Sequence, residues 1–168
     1  MTKLHELLKK ENEIHILHEG ERPGSLELKI GREEAGAIVF DDAMMNAELR
    51  IFGRTFSIGR DPESRRTIVK EGDREIASCS GQGLGGMIIL TADSNILVLR
   101  GKGFWSASAS LIEYETGCWF LRFIPKDTGG LAPVKVEVSP VFADSDDLPG
   151  LLALSVFMLL PAEAVFGR

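Results

Sequence analysis

Histidine is scarce: the 168 residues hold three, and none follows His18. The usual general base is therefore missing from most of the chain, and Ser106, Ser108 and Ser110 have no partner for a serine-nucleophile arrangement. No GxSxG occurs either. Cysteine is limited to Cys79 and Cys118, neither in a CxxC or CxxH pattern. A zinc site thus lacks donors, and the two thiols read as reduced, buried, small apolar residues rather than a disulfide. His5, His15 and His18 read as surface residues; a strand would put His15 and His18 on opposite faces. We expect no catalytic centre, no metal and no cofactor.

Positive charge is also in short supply. The net charge of −6 argues against broad nucleic-acid binding, which depends on neutralising phosphates. No apolar run reaches the ~20 residues that a ~30 Å hydrocarbon core requires of a helix. Met1 to Glu6 shows no basic stretch leading into an apolar one, so no secretory signal is read and the expected location is the cytoplasm.

What remains is an ordinary globular composition, 44% hydrophobic and 26% charged. Its size suits a single domain across 1–168. Thr2 can cap a helix over 2–13, with Leu4, Leu7 and Leu8 at helical spacing. From Ile14 to about residue 142 the period changes to two. Leu26, Leu28 and Ile30 alternate with charge, as do Val134, Val136 and Val138. Asp41 to Asn46 breaks the pattern, with one helical turn as an option. Gly53 and Gly59 suggest bulges or bends. Gly72-Asp73, Ala92-Asp93-Ser94 and Thr116-Gly117 mark hairpins, and Phe104 to Glu115 reads as one alternating strand. The chain is expected to be mainly β, with about twelve short antiparallel strands.

The last element differs. Leu148 to Leu160 carries no charge. We expect a helix over about 147–160, capped by Asp146 or Asp147, with Pro149 in its first turn and Pro161 as its stop. Its 13 residues span ~20 Å at 1.5 Å each. A helix apolar all round must be buried on all sides. A sheath of strands would bury it; a tail anchor or partner-docking segment is the alternative.

This order of elements resembles the tubby-like superfamily: tubby C-terminal domains, LURP-one-related proteins and phospholipid scramblases. The match lies in Leu148 to Leu160, the strand pairs from Arg66 to Leu99, and the pair Phe104 to Ile124. The resemblance implies a closed barrel of about twelve strands around a central hydrophobic helix, and in the tubby case a basic surface that binds phosphoinositide headgroups. Physically, closure removes sheet edges, and ~12 strands leave an interior too wide for their own side chains.

Four motifs remain. Gly81 to Gly86 satisfies GxGxxG, but Met87-Ile88-Ile89-Leu90 follows as a strand, so it reads as a flexible β–β loop rather than a dinucleotide site. Phe56-Ser57-Ile58-Gly59-Arg60-Asp61-Pro62 resembles the start of a forkhead-associated domain, a phosphothreonine-binding sandwich, with Ser64-Arg65 close behind and no later His. That gives the alternative reading, a phosphopeptide-binding interaction module using Arg60 and Arg65. Asp144, Asp146 and Asp147 parallel the acidic calcium segment of scramblases; a solvated turn before a helix accounts for them. Lastly, residues 50–74 hold seven basic against four acidic residues. If tubby-like headgroup binding is shared, the ligand-binding residues are Arg54, Arg60, Arg65, Arg66 and Lys70. The expected function is a non-catalytic binding module. Its partner is an anionic lipid or phosphorylated ligand, met by peripheral membrane contact without a transmembrane span.

Overall fold

The computed structural model describes residues 2–18, 22–101, 108–125 and 134–160. A helix α1 (Lys3–Glu11) opens the chain. Thr2 caps it by accepting a hydrogen bond from the His5 backbone N–H, and Asn12 ends it in a left-handed conformation. Twelve strands follow: β1 (Glu13–His18), β2 (Ser25–Ile30), β3 (Glu33–Phe40), β4 (Asn46–Ile51), β5 (Arg54–Arg60), β6 (Thr67–Glu71), β7 (Arg74–Gly83), β8 (Gly86–Thr91), β9 (Ile96–Gly101), β10 (Ala109–Glu113), β11 (Trp119–Pro125) and β12 (Val134–Val138). Each pairs antiparallel with its neighbour in sequence, and β1 pairs with β12, Glu13 opposite Glu137, to close the barrel.

The alternation in the sequence sets the two faces. In β5 Phe56 and Ile58 are buried; in β12 Val134, Val136 and Val138 are. Inward rows from every strand line the interior, and α2 (Leu148–Leu159) fills it. Residues 148–156 of α2 are all buried, as its chargeless composition demands, and the helix lies against β4, β5, β6 and β7. Gly150 permits the approach: a Cβ there would sit 3.0 Å from the Ile76 Cγ2. Phe157 stacks on Phe40 with ring centroids 6.1 Å apart, so α2 exits at the β3–β4 end of the barrel. Among the described residues no helix is long and apolar enough to cross a membrane.

Several expectations need correction. Asp147 occupies the position before α2 but makes no side-chain capping bond. Its carboxylate takes Arg74 instead, while its carbonyl accepts from the Leu151 N–H at 3.0 Å. Residues 41–45 form a turn, not a helical one. The strand expected from Phe104 begins at Ala109; Phe104 to Ala107 and Pro161 lie outside the described residues. Gly81 to Gly86 is a β–β connection as read, but a tight one. β7 runs to Gly83, and Leu84 (φ +54°) and Gly85 (φ +86°) turn directly into β8. Cys79 is buried, and burial pushes its thiol above the usual range; Cys118, just outside β11, is exposed. A single closed sheet about a helix is also not the two-sheet sandwich that the forkhead-associated resemblance implies.

Candidate binding groove

Strand β5 carries Arg54 at its start and Arg60 at its end. Six steps at 3.2–3.4 Å each put the two about 20 Å apart. They belong to opposite ends of the barrel and to different environments.

At the end where α2 enters, Arg54 is tied down. Its Nε and Nη2 donate to the two Glu71 carboxylate oxygens at 2.8 and 3.0 Å, and Nη2 also donates to the Asp146 carbonyl at 3.1 Å. The guanidinium lies 4.9 Å from the Phe56 ring centroid. Arg74 extends the cluster, reaching Glu71 at 3.3 Å and Asp147 at 3.4 Å. The hydrogen bonds from Arg54, opposed by burial and aided by the nearby charges, hold the Glu71 carboxyl below its ordinary range; the same bonds raise Arg54. This cluster joins the β4–β5 and β6–β7 hairpins to the residues that lead into the helix. It is a structural latch, and the Nε and Nη2 donors of Arg54 are spent within it.

At the other end of β5 the turn 61–66 is built by Asp61. One carboxylate oxygen accepts from the Ser64 hydroxyl at 2.6 Å and the Ser64 N–H at 3.2 Å, the other from the Glu63 N–H at 3.4 Å. The Ser64 bonds hold the Asp61 carboxyl below its usual range. Arg65 sits in this turn at φ +62°, exposed. Arg66 follows, half-buried, with Nη1 donating to the Ser78 hydroxyl at 3.1 Å. Because Asp61 is satisfied by its own turn, Arg60 and Arg65 are left with no carboxylate within 4.0 Å among the described residues, and the same holds for Lys70.

The structure brings three of the five expected residues together. Arg60, Arg66 and Lys70 line an open groove of about 470 Å³ on the outer face of β5, β6 and β7, with Ser57, Gly59, Ile68, Asp61 and Glu75. Arg65 stands on the adjoining turn, and Arg54 lies elsewhere. Gly59 leaves room for Asn46, whose Oδ1 reaches across from β4 to within 2.6 Å of where a Cβ would stand. The residues that sequence reasoning missed, Asn46, Ser57 and Glu75, come from pairing. Ser57 lies opposite Lys70, Lys70 opposite Glu75, and Asn46 opposite Gly59. The sequence alone does not mark these positions, because strand register brings them beside the basic residues.

The groove offers donors and fixed positive charge without a nucleophile–base pair. Among the described residues no cluster of three or more His, Cys, Asp or Glu is placed to hold a metal ion. No family model, curated protein or solved structure matched the chain in comparison with known proteins.

Proposed function

We propose that this chain is a non-catalytic binding module, and that the groove across β5, β6 and β7 takes a phosphate-bearing anion presented at an anionic membrane surface. The observation that carries the reading is the state of the cations. Arg60 and Lys70 line the groove and make no ion pair with a carboxylate within 4.0 Å among the described residues, and Arg66 spends one of its five donors on Ser78. Unpaired cations beside a hydroxyl and an amide suit the several acceptor oxygens of a phosphate, with arginine contributing its planar fork. Two carboxylates border the same groove. Asp61 is occupied by its turn, and Glu75 tempers the charge at one edge.

The architecture agrees with what the tubby-like resemblance implies, a closed barrel about a central helix, and that resemblance adds a headgroup-binding precedent. The cytoplasmic leaflet would supply the negative surface potential. The phosphopeptide alternative has lost its architectural footing, since the sheet is one closed barrel rather than a sandwich.

Vesicle flotation tests the reading, with neutral vesicles against vesicles carrying a phosphoinositide, and free inositol phosphate as competitor. The protein should float only with the anionic vesicles, less so as salt rises. The combined change Arg60→Glu, Arg66→Glu and Lys70→Glu should abolish flotation. Binding of free inositol phosphate by calorimetry, without flotation, would place the ligand in solution instead. Equal flotation of the triple variant would refute the groove.

A further inference from the structure

Alternate connections of an antiparallel barrel emerge at the same end, so the β3–β4, β5–β6 and β7–β8 turns share one rim. Successive turns are two strands apart, about 10 Å around the rim at 4.7–4.9 Å per strand. In order they present Met45, Arg65 and Leu84. All three are exposed, Met45 by 47% and Leu84 by 43%. Leu84 (φ +54°) and Gly85 form a two-residue turn between the paired Gly83 and Gly86, where asparagine would be the easier first residue. The last turn of α2 comes to the same end. Phe157 meets Phe40 at the close of β3 there, and Phe157, Met158 and Leu159 are only half-buried.

Charge separates this rim from the other. Here Arg60, Arg65, Arg66 and Arg100 stand against Asp41, Asp42, Asp61 and Glu63, and Asp41 and Asp61 are engaged by the N–H groups of their own turns. Arg100 lies at the base of the Leu84 tip, its Nη2 donating to the Leu84 carbonyl at 3.1 Å. Lys70 adds a further charge in the groove that opens beside this rim. The opposite end also exposes two large apolar side chains outside the strands, Tyr114 and Val141. Acids surround them. Tyr114 lies between Glu113 and Glu115, and Val141 shares a hollow with Asp93, Glu113 and Asp147 that no lysine or arginine lines among the described residues. In a chain of net charge −6, one rim repels an anionic surface and the other accepts it.

We infer that the barrel docks end-on to an anionic bilayer, with Met45 and Leu84 entering the interfacial region and Arg65 between them on the headgroups. The inference rests on the proposed anion groove and adds the face by which the protein meets the lipid. Arg60 and Arg66 belong to both, so a phosphate in the groove sets the depth at which the two tips stand. The tips are about 20 Å apart around the rim, enough to fix a tilt as a single contact could not. Apolar insertion beside cations is the usual chemistry of a peripheral contact, and each arginine near an anionic leaflet adds to it. The acidic end, with Tyr114 and Val141, faces away.

Partitioning onto phosphoinositide vesicles, run beside calorimetry with free inositol phosphate, separates the rim from the groove. Met45→Ser and Leu84→Asn should each weaken partitioning roughly fivefold, the loss expected from leaving half a side chain in water, and together about 25-fold. Both should leave inositol phosphate binding intact, because neither side chain lines the groove. Val141→Ser should change nothing. A polarity-sensitive dye reports the depth directly. In a Cys118→Ser background, where buried Cys79 is the one cysteine left, the dye on Leu84→Cys should shift to the blue on vesicles and stay unchanged with inositol phosphate. The dye on Val141→Cys should not respond. Parent-like partitioning of the double variant, or a blue shift at 141 with none at 84, would overturn the inference while the groove stands. So would loss of inositol phosphate binding in the double variant, which would make the tips supports of the groove. A shift at 84 that follows protein concentration without lipid would give the rim to a second copy and overturn it too. A parent that binds neither vesicles nor inositol phosphate removes groove and inference together.

Discussion

The two ends of β5 use arginine in opposite ways. Arg54 is enclosed by Glu71, the Asp146 carbonyl and the Phe56 ring, and 27% of its side chain is exposed. Arg60 is exposed, with no acidic partner among the described residues. The same side chain on the same strand is a structural clasp in one place and an available charge in the other. The difference comes from neighbours. β6–β7 delivers a carboxylate and the chain before α2 delivers a carbonyl to the first site. At the second, Asp61 faces the N–H and hydroxyl groups of its own turn. Basic residues are thus informative about ligands only after their local partners have been subtracted.

The largest expected effect breaks the enclosed end. Arg54→Ala removes a bidentate charge-assisted pair, a carbonyl bond and ring packing, and should cost about 2–3 kcal/mol by urea denaturation. Arg60→Ala should stay within about 0.5 kcal/mol of the parent. Equal losses at both positions would erase the contrast.

The pH dependence should follow the same division. Glu71 has its carboxyl lowered by Arg54, so its contribution is fully present above the unfolded carboxylate value near 4.5 and is lost as pH falls through the lower folded value. Glu71→Gln should therefore be less stable than the parent at pH 6, and the gap should narrow on acidification below pH 4. A constant gap would mean that Glu71 acts by packing alone. Asp41 is a control at the open end. Burial alone would raise it, but hydrogen bonds from the Asn46 backbone and side chain and from the Met45 backbone hold it lower, so it should shed stability in the same direction.

A smaller effect sharpens the open end. Glu75→Gln removes the unsatisfied carboxylate opposite Lys70 and should tighten phosphate binding about threefold, a gain in the range of exposed charge pairs. Smallest of all, Arg74→Ala should cost about 0.5 kcal/mol, because its side chain is 54% exposed and solvent screens both of its contacts.

Much of the architecture was legible because it follows from period and charge. The uncharged run Leu148 to Leu160 has no polar face to give to water, which favours burial inside a sheath over an anchor or a docking segment, and short alternating segments with turn signals between them favour strands. The candidate site was half legible. Arg60, Arg66 and Lys70 lie together because the 61–66 turn brings β6 back beside β5. Arg54 was grouped with them through proximity in the chain, yet a strand carries residues six apart to opposite ends of the sheet. Glu71 and Asp146, which claim Arg54, became its partners only through pairing and through the path into α2. Cys118 reads as a buried small apolar residue because isolated cysteines usually are, yet it falls one residue before β11 begins at Trp119 and is exposed.

The position of α2 also dictates an order of events during folding. The element that fills the barrel follows all twelve strands in the chain, and the seam between β1 and β12 joins residues more than a hundred apart. Local hairpins can form early, but an unfilled cylinder has little reason to shut, and its two outermost strands stay open to pairing with other chains until it does. Refolding should thus be slow in its final phase and sensitive to protein concentration, with interior mutations in α2 retarding closure more than they disturb the hairpins.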